Sequence, residues 1–224
     1  MSFITSIIKH IPLLKQTNRN FQGTDNYWEG RYNSGGNSGA GSYNRLAEFK
    51  ADVLNSFVKN NQIQTVIEFG CGDGNQLTML EYPFYIGLDI SKTAVGICID
   101  KFKADKTKSF YLYNSLAFVD NHKIFNADVS LSIDVLYHLI EDELFEKYIF
   151  DLFNSSKQYV VIYSNDYDDR SALHVRERKF TDYIEKNFSQ WKLKEVIKNK
   201  YPYDPKKSDQ TSSADFFFYQ KTNL

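Results

Sequence analysis

The run Val66-Ile67-Glu68-Phe69-Gly70-Cys71-Gly72-Asp73-Gly74 limits the possible fold more than any other stretch. An apolar segment that ends in an acid and then breaks into glycine at every second position reads as a buried strand turning sharply into a helix. Glycine serves where φ is positive or where a ligand must approach the main chain with no Cβ in the way. A nucleotide-like ligand is the first expectation, and spacing narrows it. A dinucleotide fingerprint requires G-x-G-x-x-G/A, with the pyrophosphate on the following helix N-terminus. Here Gly70 and Gly72 fit, but Asn75 stands where the third small residue belongs and the glycine arrives early, at Gly74. A dehydrogenase reading fails at that position. Glu68 would repel phosphates and suits a cationic amine or sulfonium, so the expected ligand is a nucleoside carrying an amino acid. A second anchor is Phe84-Tyr85-Ile86-Gly87-Leu88-Asp89-Ile90-Ser91, a short strand whose Asp89 falls 19 positions after Gly70. An acid at that separation lies at the tip of the neighbouring strand, within reach of ribose hydroxyls.

With the acid-x-G-x-G-x-G form and Asp89 together, the sequence resembles the class I S-adenosylmethionine (AdoMet) methyltransferases. The resemblance implies an α/β, Rossmann-like fold, with a mostly parallel seven-stranded sheet, a C-terminal antiparallel hairpin and an N-terminal helical lid. It also implies AdoMet as cofactor, S-adenosylhomocysteine as product, and cofactor contacts at Glu68, Gly70, Gly72, Gly74 and Asp89. In that family the adenine is usually met after the third strand, often by an acid. Asn114 takes that place here, and an amide can still accept a hydrogen bond.

Composition excludes several alternatives. A chain of 224 residues, 42% hydrophobic, has room for one well-buried domain. Its net charge of -1 provides no basic surplus for a polyanion, so nucleic acid is not expected as partner. Cys71 and Cys98 suggest no disulfide framework, and a reducing cytoplasm is the default. No apolar run is long enough to span a membrane. Residues 2–15 place Phe3, Ile4, Ile7, Ile8, Ile11 and Leu14 on one helical stripe, which is expected to pack on protein, with weak membrane-surface contact as the alternative.

The first division of the chain is expected near residue 42, with a helix and Gly-rich lid over 1–42 and the catalytic domain over 43–224. Thr24 to Tyr32 reads as a short aromatic helix, and Asn33 to Ser42 is rich in Gly, Ser and Asn. Gly-rich loops beside a site often serve as hinges, and Tyr27, Trp28, Arg31, Tyr32 and Tyr43 are candidate contact residues. A helix follows from about Tyr43 to Asn60. Strands and helices then alternate, as in a parallel sheet covered on both faces: strands at 63–69, 84–89, 109–113, 127–133 and 159–163, and helices at 93–102, 141–154 and 177–188. Two final strands, 191–197 and 214–220, have no helix between them, which implies an antiparallel hairpin.

Chemistry is expected at the carboxyl ends of strands four and five. Asp134 and His138, four apart, share a face if 134–139 is a helical turn. A carboxylate orienting an imidazole makes a general base able to deprotonate an acceptor hydroxyl. Some O-methyltransferases carry an acid-x-x-acid-His metal motif at this place, but Tyr137 replaces the second acid, so no metal is expected. The Asn/Asp-Pro-Pro-Tyr motif of nucleobase N-methyltransferases is absent. After strand five, His174, Arg176 and Arg178 alternate with Val175 and Glu177 and would point to one side of an extended segment, suiting an anion. The opposing reading makes Glu177 the first-turn acid of a solvated helix. His174 is a second candidate base, and Tyr32, Tyr137, Arg176 and Arg178 are candidate substrate-binding residues.

Tyr27-Trp28-x-x-Arg31-Tyr32, the loop Gly36-Asn37-Ser38-Gly39-Ala40-Gly41-Ser42, Asp134 to Leu139 and His174-Val175-Arg176-x-Arg178-Lys179-Phe180 resemble a small branch associated with bacterial surface-polysaccharide biosynthesis. The expected activity is methyl transfer from AdoMet to a small-molecule acceptor, an oxygen on a sugar-linked or phosphate- or phosphoramidate-type compound. The alternatives are a small-molecule N-methyltransferase and a non-catalytic AdoMet-binding subunit.

Overall fold

The computed structural model describes residues 21–222, so the amphipathic stretch expected over 2–15 lies outside the described residues. Among the described residues, nine strands and five α-helices follow one another as α1 (Thr24–Asn33), α2 (Asn44–Asn60), β1 (Thr65–Phe69), β2 (Phe84–Asp89), α3 (Lys92–Lys101), β3 (Lys108–Leu112), β4 (Ala127–Ile133), α4 (Asp142–Asn154), β5 (Ser156–Ser164), β6 (Asp169–Ala172), β7 (Val175–Glu177), α5 (Phe180–Asn187), β8 (Trp191–Ile197) and β9 (Asp215–Lys221).

Seven of the strands form one sheet in the order β3-β2-β1-β4-β5-β9-β8, and β6 and β7 form a separate hairpin. From β3 to β5 every pairing is parallel. The order reverses on either side of β1, which places the crevice between β1 and β4 at the switch point where ligands of open α/β sheets bind. β9 runs antiparallel to both of its neighbours, because the 198–214 connection supplies no crossover α-helix.

Strand period decides which side chains reach which face. Phe216 and Phe218 of β9 join Val66, Leu131 and Val161 under α2, whereas Phe217 and Tyr219 join Ile67, Val160 and Ile162 under α4 and α5. Each such buried side chain contributes on the order of 1.5–3 kcal/mol of transfer free energy. α2 presents Leu46, Phe49, Leu54 and Val58 to the sheet, and with them Lys50, which is fully buried.

β2, β4 and β8 occupy the expected residues, and β5 is longer, starting at Ser156. The helix expected from Glu177 begins at Phe180 instead. Glu177 lies in β7, buried, and its carboxylate accepts from the Ser171 hydroxyl at 2.7 Å and the Ser171 N–H at 3.3 Å. It ties the two strands of the hairpin together and is no helix-start acid.

Candidate functional site

At the carboxyl end of β1 the chain turns through Gly70 and Gly72 with φ of 89° and 57°, and Gly74 is also left-handed at 68°. A Cβ at Gly70 would come within 2.5 Å of the Val135 side chain, and one at Gly72 would collide with the Ser38 hydroxyl. The turn therefore requires glycine for conformation and for contact. Asp89 holds it from the next strand: one carboxylate oxygen accepts from Gly72 N–H and the other from Ser91 N–H, each at 2.8 Å. Every oxygen keeps a lone pair for a further donor. Burial raises the Asp89 carboxyl to about 6 against these two bonds. Glu68 is buried beside it, accepts from the Tyr85 hydroxyl at 2.6 Å, and is pushed up to about 7 by burial.

The 37–43 segment is bonded to this turn. Ser38 N–H donates to the Asp73 carboxylate at 3.0 Å, Asp73 N–H donates back to the Ser38 hydroxyl at 3.0 Å, and the Tyr43 hydroxyl reaches the same carboxylate at 2.8 Å. Asn75 adds a bond to the Ser42 carbonyl at 2.8 Å. Tyr32 is buried, with its hydroxyl 3.0 Å from that of Ser38. Glu29 fastens α1 to the start of α3, accepting from the Ser91 hydroxyl at 2.6 Å and from Thr93. An acid at a helix N-terminus is also favoured by the helix dipole.

One cavity joins these parts to the end of β4. Its walls include Tyr32, Ser38, Glu68, Gly70, Gly72 and Gln76, with Asp89 and Tyr113 on the β2–β3 side and Trp28, Asp134, Val135 and His138 on the other. Gln76 donates its amide to the Ala47 carbonyl at 2.9 Å, which orients the group, and its buried Oε1 has no partner among the described residues. Such an acceptor awaits a donor.

Asp134 and His138 are not paired. The 136–138 stretch is one turn of 3-10 helix, and Asp134 stands before it in the left-handed region at φ 60°. Its carboxylate accepts from Lys50 Nζ at 2.6 Å and from the Tyr137 hydroxyl at 2.8 Å. A buried lysine would be uncompensated elsewhere, and this carboxylate is its counter-ion. His138 instead places Nδ1 3.1 Å from the His174 carbonyl oxygen. A carbonyl only accepts, so the proton resides on Nδ1 and Nε2 carries the lone pair. Burial pushes the His138 imidazole down to about 4, so it is neutral near pH 7.

Three further expectations change. Asn114 is exposed, its carbonyl oxygen accepting from Leu116 N–H at 3.0 Å, and Tyr113 lines the cavity in its place. Arg178 donates to the Leu139 and Ile140 carbonyls and to Asp142, and Arg176 to the Ile140 carbonyl and Asp142. These guanidinium groups hold the β4–α4 connection in place and lie outside the cavity walls. Tyr137 is likewise bonded to Asp134 and is not part of the wall. Lys50 and Gln76 do line or support the site without being singled out beforehand. Lys50 was visible as a lysine inside the apolar stripe of α2; for Glu29 no sequence signal exists.

No protein-family model and no curated protein sequence matches the chain. Solved structures do. NodS, an N-methyltransferase from Bradyrhizobium japonicum WM9 with S-adenosylhomocysteine bound, superposes with a TM-score of 0.70 at 15% identity, over 90% of this chain and 100% of that one. The fold is that of the class I methyltransferases. Magnesium protoporphyrin IX methyltransferase from Synechocystis PCC 6803, with the same product bound, gives a TM-score of 0.61 at 12% identity, covering 80% of this chain and 85% of that one. The methyltransferase domain of bacterial CtHen1 gives 0.60 at 18% identity, covering 78% and 97%. Among the described residues no helix is long and apolar enough to cross a membrane, and no group of three or more His, Cys, Asp or Glu could hold a metal ion.

Proposed function

We propose that the protein is an AdoMet-dependent methyltransferase acting on a small-molecule acceptor. The observation that carries this reading is the charge balance of the cavity: Glu68, Asp89 and Asp134 face it, and among the described residues Lys50 is the one ammonium bonded to any of them, at Asp134. A surplus of carboxylates around a glycine turn suits a cationic nucleoside and opposes a pyrophosphate. The Gln76 Oε1, without a partner among the described residues, fits the same ligand, which would be held by Glu68, Gly70, Gly72, Gln76 and Asp89. When bound, AdoMet supplies an electrophilic methyl group on its sulfonium.

The chain's own residues supply position and proton removal. The 37–43 segment and Tyr32 cover the turn and exclude water. Trp28 and His138 border the opposite end of the cavity, and His138 Nε2, the unprotonated nitrogen, accepts the proton of an acceptor hydroxyl. Bringing two reactants together is most of the catalysis in such a displacement. The acceptor is an oxygen on a sugar-linked or phosphate-bearing compound of surface-polysaccharide biosynthesis, supported by the sequence likeness of 27–42, 134–139 and 174–180 to that branch. A second reading, a small-molecule amine as acceptor, is favoured by the likeness to the N-methyltransferase NodS.

Calorimetric titration of the purified protein with S-adenosylhomocysteine, with NAD as control, tests the cofactor. Binding of S-adenosylhomocysteine alone is expected. Binding of NAD, or of neither, would remove the reading.

A further inference from the structure

Beside Trp28, which lines the cavity, stands a cation that the cofactor reading leaves unused. Arg31, in the last turn of α1, donates Nε–H to the Asn37 carbonyl at 2.6 Å, which fixes the plane of its guanidinium. Its terminal nitrogens have no ion-pair partner among the described residues, whereas Arg176 and Arg178 share Asp142. The guanidinium carbon lies 5.6 Å from the Trp28 ring centroid, and Trp28 stands edge-on to His138 at 4.8 Å. The rings of His138 and His174 are parallel within 8°, with centroids 6.1 Å apart, and His174 stacks on Tyr27 at 4.6 Å. The hydrogen bond between the two histidines uses the His174 carbonyl, so both His174 ring nitrogens remain without a protein partner among the described residues.

Tyr27 and Arg31, four apart on α1, share a helix face, so the guanidinium stands on the side where His174 stacks on Tyr27, and a planar fork of donors with an unpartnered imidazole is an arrangement that recognises an oxyanion. We propose that Arg31 and His174 bind a phosphate group carried by the methyl acceptor. The proposal rests on the methyltransferase reading and names the chemical class of its substrate. The groups facing His174 are Tyr27 and Arg31 of α1 and His138 of the 136–138 turn, with Asp134 behind His138. Burial and then the Arg31 charge hold His174 below its ordinary value. A bound dianion offsets Arg31 and favours the imidazolium, so phosphate raises the His174 pKa.

The test uses the full chain saturated with S-adenosylhomocysteine and inorganic phosphate as the probe. The ring resonances of His10, His122, His138 and His174 are assigned by single His→Gln substitutions and followed by NMR against pH. Phosphate is expected to raise the His174 pKa by about one unit and to leave the ring chemical shifts of exposed His122 unchanged. In Arg31→Gln the phosphate affinity should fall by about tenfold, while calorimetry shows S-adenosylhomocysteine binding within about twofold of the parent. No response in the parent protein, or an equal response in Arg31→Gln, overturns the phosphate site and leaves the methyltransferase reading intact. Loss of S-adenosylhomocysteine affinity in Arg31→Gln would overturn it differently, by assigning Arg31 to the cofactor's carboxylate. Failure of the parent to bind S-adenosylhomocysteine removes the underlying reading and the proposal with it.

Discussion

The two ends of the cavity are built by different means. Around β1 and β2 the site is made of main chain: a glycine turn fixed by Asp89 through two backbone N–H groups, all within 22 consecutive positions from Gly70 to Ser91. Around β4 the site is made of side chains from distant segments, with Trp28 from α1, Lys50 from α2, Asp134 and His138 after β4, and His174 from the β6–β7 hairpin. Backbone geometry is written in residue type and short spacing. An assembly of remote side chains depends on the whole fold, and each member is chosen by partners that local sequence does not reveal.

The contrast breaks most sharply at Lys50. Replacing it with Met leaves the Asp134 carboxylate uncompensated, and removing one partner of a buried pair costs about 3–5 kcal/mol. Urea unfolding should show that loss, and Lys50→Met combined with Asp134→Asn should recover more than half of it. An equal loss in the double variant would mean that Lys50 acts by packing alone.

At the cofactor end the largest effect is in pH. Glu68 rises from 4.5 to about 7 on folding, and Asp89 from 3.8 to about 6. An acid whose folded value is raised keeps its proton after the unfolded chain has released it, so stability is lost as pH rises from the unfolded value to the folded one. For Glu68 the loss is about 3 kcal/mol between pH 4.5 and pH 7. His138, held down at about 4, adds stability of the opposite sign between about pH 4 and its ordinary 6.5, so the comparison with a variant isolates Glu68: over that range the urea midpoint of Glu68→Gln should fall less, or rise more, than that of the parent. An unchanged slope in the variant would contradict the burial argument.

A smaller effect tests the link between the ends. Asp73→Asn weakens the bonds to Ser38 and Tyr43, worth about 1–3 kcal/mol for an ionised acceptor. Hydrogen exchange at 37–43 should quicken by about tenfold while 65–69 stays protected. Unchanged exchange would show that the segment is held by something other than Asp73.

The same contrast explains how much could be read beforehand. The glycine spacing, Asp89 and the closing hairpin are legible, because period and turn chemistry act over a few residues. Asp134 and His138 stand four apart in sequence and yet are unpaired, because a buried lysine 84 positions from Asp134 takes the carboxylate. Arg176 and Arg178 look free in sequence, because Asp142 and the carbonyls of 139–140 become their neighbours only after folding. Lys50 could have been found as a charge within an apolar stripe, whereas Arg31, a candidate contact residue in sequence, takes a specific role only from the bonds around it.

The most direct measurement is an isotope-edited NOE spectrum of the protein with AdoMet labelled by ¹³C at its methyl group. Contacts from that methyl to ring protons of Trp28 and His138, at the border between the two halves, are expected. Contacts to residues around Asn114 instead, or none to either ring, would contradict that placement.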